Sequence, residues 1–75
     1  MKTMTCKQLG GACDKEFRAH TFDEIASQSR EHGMEMILSG DPAHMEAMQE
    51  MQAMMKQPGA LQKWMDAREK EFDSL

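Results

Sequence analysis

MKTMTCKQLGGACDKEFRAHTFDEI, residues 1–25, sets a cysteine on either side of a glycine pair and then runs into a helix start. Met1 to Leu9 and Asp14 to Ala19 are short β-compatible runs around Gly10-Gly11, the pattern of a hairpin. Alternation puts Met4 and Cys6 on one face of the first strand, with Thr3 and Thr5 on the other. On the second strand Cys13, Lys15, Phe17 and Ala19 share a face. The register is open. A loop from Gln8 to Gly11 sets Cys6 almost opposite Cys13, whereas a tighter turn at Gly10-Gly11 pairs Cys6 with Lys15.

Past the hairpin, Thr21-Phe22-Asp23-Glu24 has the form of a capping box, with the threonine hydroxyl free to take the amide of Glu24. Phe22, Ile25, Ala26, Ser29, Gly33, Met36 and Ile37 follow at helical spacing and predict one buried face. Ser39-Gly40 ends that helix. Asp41-Pro42 starts a second, with aspartate as N-cap and proline at the first helical position. Pro58-Gly59 breaks it near Gln57, and a third helix carries Leu61, Trp64, Met65, Arg68 and Phe72 as its stripe. The expected fold is α+β, ββααα: a hairpin and first helix over residues 1–38 and a helical extension over 41–75, in one domain of 75 residues.

A chain of this length buries only about 60% of its unfolded surface, so a metal, a disulfide or a partner subunit would add usefully to its stability. Ten residues are methionine, one is tryptophan and none is tyrosine, which makes for a soft, adaptable core. The net charge is −4, and the nine basic residues are scattered among acids. That disfavours a nucleic-acid partner. Neither a secretory signal nor a run of about 18 apolar residues is present, so the expected compartment is the cytosol, where cysteines are usually reduced.

Cysteine thiolate and histidine imidazole are the ligands that zinc prefers, usually four in a structural site. Cys6, Cys13, His20 and His32 form one such set. His20 lies at the strand-to-helix corner, and His32 on the edge of the buried helical face, from which it could look toward the hairpin. Six residues between the cysteines match no standard zinc spacing. Two other readings stand beside this one: the cysteines as small core residues, or as a redox dithiol, although the Cys-x-x-Cys spacing of such sites is missing. No catalytic constellation is visible, and the expectation is a binding protein rather than an enzyme.

The same stretch, followed by EHG, resembles a family of small uncharacterised prokaryotic proteins described as predicted small metal-binding proteins. Cys6, Gly10, Cys13, Ala19, Thr21, Glu24 and His32 occupy the places of that family's pattern, over about residues 1–36. The resemblance implies metal binding through Cys6, Cys13 and a histidine.

A second distinctive stretch is HMEAMQEMQAMMKQ, residues 44–57. His44, Met48, Met51 and Met55 fall within one arc of a helix, with Met45 and Met54 near its edges. Thioethers of this kind can hold Cu(I), but they also fill cores or form adaptable partner surfaces. Met51 and Met55, mid-arc, are expected to be buried. Met45, Met48, Met51 and Met55 together make the alternative function a methionine-rich interaction or self-association module without metal.

Overall fold

The computed structural model describes residues 1–75. Its elements are β1 (Lys2–Thr5), a single 3-10 turn (Lys7–Leu9), β2 (Glu16–Ala19), α1 (Phe22–Leu38), α2 (Pro42–Met55) and α3 (Ala60–Asp73). A two-stranded antiparallel hairpin followed by three helices is the expected α+β architecture.

The strands are shorter than their composition suggests. The ladder pairs Lys2 with Ala19, Thr3 with Arg18, Met4 with Phe17 and Thr5 with Glu16. That register continues to Cys6, whose amide donates to the Lys15 carbonyl at 2.8 Å, and so follows the tighter-turn alternative. The connection itself is not tight. After Thr5 the chain folds into the 3-10 turn, and the Cys6 carbonyl accepts from the amides of Leu9 at 3.1 Å and Gly11 at 2.8 Å. These bonds satisfy backbone groups that strand pairing would otherwise have used.

The inward face of the hairpin is Met4, Cys6, Phe17 and Ala19, all buried, and Ile25 and Phe22 of α1 pack onto it. Phe72 of α3 completes this core, edge-on to Phe22 at 6.0 Å between ring centroids. Nine of the 75 residues are buried, so the apolar core is small and a cross-link between elements would matter to stability.

Helix boundaries follow the local signals. The Thr21 hydroxyl accepts from the Glu24 amide at 3.2 Å. At the end of α1, Gly40 adopts φ 81°, its amide donates to Ile37 at 3.0 Å and the Asp41 amide donates to Met36 at 3.0 Å. This is the Schellman arrangement, which needs a left-handed residue that glycine supplies without steric cost. The corner turns α1 into α2 with only Ser39, Gly40 and Asp41 between them.

One expectation about packing fails. Met55 is 55% exposed, and Met45 and Met48 are exposed as well, while Met51 is partly buried. The buried residue of α2 is His44. His44 in the first turn faces the hairpin sulfurs and the Met51 side chain reaches Gly10 of the hairpin loop, whereas Met55 in the last turn is left to solvent.

Candidate metal centre

Four side chains from three parts of the fold meet beside the hairpin loop: Cys6, Cys13, His32 and His44. One ligand atom from each lies within 4.8 Å of every other. The two cysteines are free thiols. Cys6 Sγ lies 3.6 Å from His44 Nε2, and Cys13 Sγ lies 3.2 Å from His32 Nε2.

Each ligand is placed by a local feature. Cys6 follows the last ladder residue and faces inward with Met4. Cys13 is brought alongside by its own carbonyl, which accepts from the Lys7 amide at 3.1 Å. Gly11 is the residue that makes room: a Cβ there would stand 2.1 Å from Cys6 Sγ. His32 is held edge-on to Phe17 at 5.6 Å. The α1–α2 corner then carries His44 to within 5.3 Å of the His32 ring.

Asp41 fixes the orientation of His44. Its Oδ2 accepts from the His44 backbone amide at 2.9 Å as the N-cap of α2, and also contacts Nδ1 of the same ring at 2.5 Å. With Nδ1 committed to the carboxylate, Nε2 is the nitrogen turned to the sulfurs. Carboxylate-bound histidines of this kind are the usual supporting arrangement around protein-bound metals.

The charges are poised unevenly. Burial pushes the Cys6 thiol up, only partly offset by backbone hydrogen bonds from Cys13 and Ala12. Burial also acts on Cys13, but hydrogen bonds from the Lys15 backbone, Cys6 and His44 outweigh it and bring that thiol below its ordinary value. Burial and the neighbouring His44 charge lower His32. The Asp41 hydrogen bond raises His44 against the opposing effect of burial. Cys13 is therefore the readier thiolate and His32 the readier neutral imidazole, the forms in which both ligate.

Three of the four residues singled out in the sequence, Cys6, Cys13 and His32, lie in this cluster. His20 does not: it is exposed and lines a shallow surface hollow with Lys2, Asp23 and Phe72. It follows Ala19 at the end of β2, so alternation turns it away from the inward face. The place given to His20 is filled by His44, which the sequence marks only as a member of the methionine arc. A local signal for it does exist in Asp41-Pro42-Ala43-His44, an N-cap acid three residues before a histidine, where the cap carboxylate can reach the ring.

The donor set fits a tetrahedral ion. At zinc bond lengths of about 2.3 Å to sulfur and 2.0–2.1 Å to nitrogen, ligand atoms sit about 3.3–3.8 Å apart. The two sulfur–nitrogen separations of 3.6 and 3.2 Å lie at that spacing or just inside it. The fold and cluster thus define a small α+β protein with a Cys2His2-like site that could hold a metal ion. Comparison with protein-family models, curated proteins and solved structures found no significant match. No helix of the chain is long and apolar enough to cross a membrane.

Proposed function

We propose that this is a small metal-binding protein that holds a zinc ion through Cys6, Cys13, His32 and His44. The observation that carries the reading is the convergence of four ligand atoms from the hairpin, α1 and α2 within 4.8 Å. Supporting it is the Asp41 contact to His44 Nδ1. Two thiolates and two imidazoles suit zinc better than the oxygen-preferring magnesium or calcium. The ion would tie together three elements around a small core, a structural use in which binding free energy becomes folding free energy.

The test is thermal unfolding of untagged protein with zinc and with chelator. At free zinc about a thousandfold above Kd, linkage adds about 4 kcal/mol, which for a domain of this size raises Tm by about 15–30 °C. A melting temperature indifferent to zinc and chelator would refute the reading.

The surface favours a second reading, self-association through methionine. Met34, Met45, Met48 and Met55 are exposed, and an apolar groove of about 330 Å³ runs between α1, α2 and α3 past Met34, Met48, Met51 and Trp64. Contiguous apolar surface of this kind usually marks an interface. A concentration-dependent sedimentation coefficient that Met34→Glu and Met48→Glu abolish would establish it, and a strict monomer at millimolar concentration would remove it.

A further inference from the structure

We infer that the Cys6–Cys13 pair is an oxidation site at which a hydroperoxide closes a disulfide and thereby releases the metal; the release step rests on the zinc reading above. Three observations point to it. The two sulfurs lie within 4.8 Å of each other in the same loop, so neither needs a partner from another chain. Their exposures differ: Cys6 is 2% exposed, whereas Cys13 is only partly buried and can meet a solute first. Finally, both cysteines lie outside the regular strand pairing. The strand ladder stops at Thr5 and Glu16, Ala12 and Cys13 lie in an irregular bend, and the Lys7–Cys13 backbone bond is the contact that drawing the sulfurs together would disturb.

The Cys13 thiolate attacks the terminal oxygen of the hydroperoxide. The O–O bond breaks, Cys13 becomes a sulfenic acid, and the alkoxide leaves as an alcohol after taking a proton from solvent; with hydrogen peroxide it leaves as water. The Cys6 thiolate then attacks the Cys13 sulfur, forming the S–S bond and expelling hydroxide, which leaves as water on protonation. The sulfur pair loses two electrons and the peroxide gains them. Both thiolate ligands are consumed, and His32 and His44 alone do not make up the four-ligand set that a structural zinc site requires. A reductant of the thiol class reverses the step and restores the site.

A closed metal site formed from one buried and one accessible sulfur has a feature a purely structural cross-link does not need: an order of attack. Cys13 is oxidised first and Cys6 resolves it. The Cys6→Ser variant therefore accumulates a sulfenic acid on Cys13, because its resolving thiol is gone. The Cys13→Ser variant, with its remaining sulfur buried, reacts slowly.

The experiment treats zinc-loaded and zinc-free wild-type protein with one equivalent of hydrogen peroxide. It follows zinc with a colorimetric chelator and the chain by intact mass. The expected result is one zinc released per peroxide consumed, a monomer lighter by two hydrogen atoms in both samples, and recovery of zinc binding after dithiothreitol. A sulfenic-acid-trapping reagent should label Cys6→Ser well above Cys13→Ser. Zinc retained through the treatment, or released with sulfinic or sulfonic products or intermolecular dimers, overturns the switch while leaving the metal reading intact. Failure of the untreated protein to take up zinc overturns the metal reading and the release step with it. The zinc-free sample reports separately whether the disulfide forms.

Discussion

The Asp41 carboxylate contacts both the backbone amide and ring Nδ1 of His44, at 2.9 and 2.5 Å. One side chain thus starts a helix and aims a metal ligand. Replacing it should uncouple the two roles. Asp41→Asn keeps a competent N-cap but loses the charge that orients the ring, so zinc affinity should fall about 10–100-fold. His44→Ala should lose more affinity than Asp41→Asn, and His20→Ala none. Competition titrations against a chromophoric chelator give all three values. Equal losses for His20→Ala and His44→Ala would contradict the assigned ligand set.

Gly11 should be intolerant for a steric reason. It is not among the glycines with positive φ, so alanine is compatible with its backbone, but the added Cβ would stand 2.1 Å from Cys6 Sγ. Gly11→Ala should cost about 1–3 kcal/mol, the usual penalty for overpacking, and should displace the sulfur enough to weaken zinc binding as well. Chemical denaturation of the zinc-free protein checks the first part and zinc titration the second.

The corner between α1 and α2 is predicted to set metal affinity from outside the ligand shell. Gly40 has φ 81°, and a Cβ added there would meet nothing within 4 Å, so Gly40→Ala introduces backbone strain without a clash. The strain is about 1–2 kcal/mol. Because the corner places His44 beside His32, relaxation of that strain should appear as reduced zinc affinity, read by calorimetric titration.

The zinc-free protein should show a pH window set by Asp41 and His44. His44 is raised by its hydrogen bond to Asp41, so its contribution is complete below the ordinary histidine value of about 6.5 and is lost as pH rises through the higher folded value. Asp41 is lowered by its side-chain and backbone hydrogen bonds with His44. Its contribution is complete above about 3.9 and is lost as pH falls through the lower folded value. Both are in force between about 3.9 and 6.5. His32, lowered by burial and the His44 charge, acts in the opposite sense, costing stability as pH falls below about 6.5. Asp41→Asn separates these effects: it should remove the stabilisation of the pair and leave the His32 trend. Denaturation midpoints across acidic to mildly alkaline pH should therefore differ most between wild type and variant inside the window.

Much of this was legible because it is local. Helix starts at Phe22, Pro42 and Ala60 are set by Thr21, Asp41-Pro42 and Pro58-Gly59, whose capping and breaking chemistry acts over three or four residues. Met4, Phe17, Phe22 and Ile25 are buried as alternation and helical spacing predict. What was not legible depends on geometry between elements. His44 enters the site because the corner at Gly40 folds α2 back onto α1, and no periodicity within α2 reports that. Met55 lies in the same arc as His44 yet is exposed: it sits in the last turn of α2, beyond Met51, whose side chain reaches Gly10 of the hairpin loop. The 3-10 turn after Thr5 was hidden for a similar reason: Lys7-Gln8-Leu9 alternates acceptably for a strand, but Gln8 caps the turn instead, its Oε1 accepting from the Thr5 amide at 2.8 Å.

X-ray absorption at the zinc edge of the loaded protein would decide the ligand set, because it counts the atoms that touch the metal. A Cys6, Cys13, His32 and His44 site predicts one zinc per chain with two sulfurs at about 2.3 Å and two imidazole nitrogens at about 2.0–2.1 Å. A shell of oxygen and nitrogen alone, or no stoichiometric zinc to measure, would contradict it.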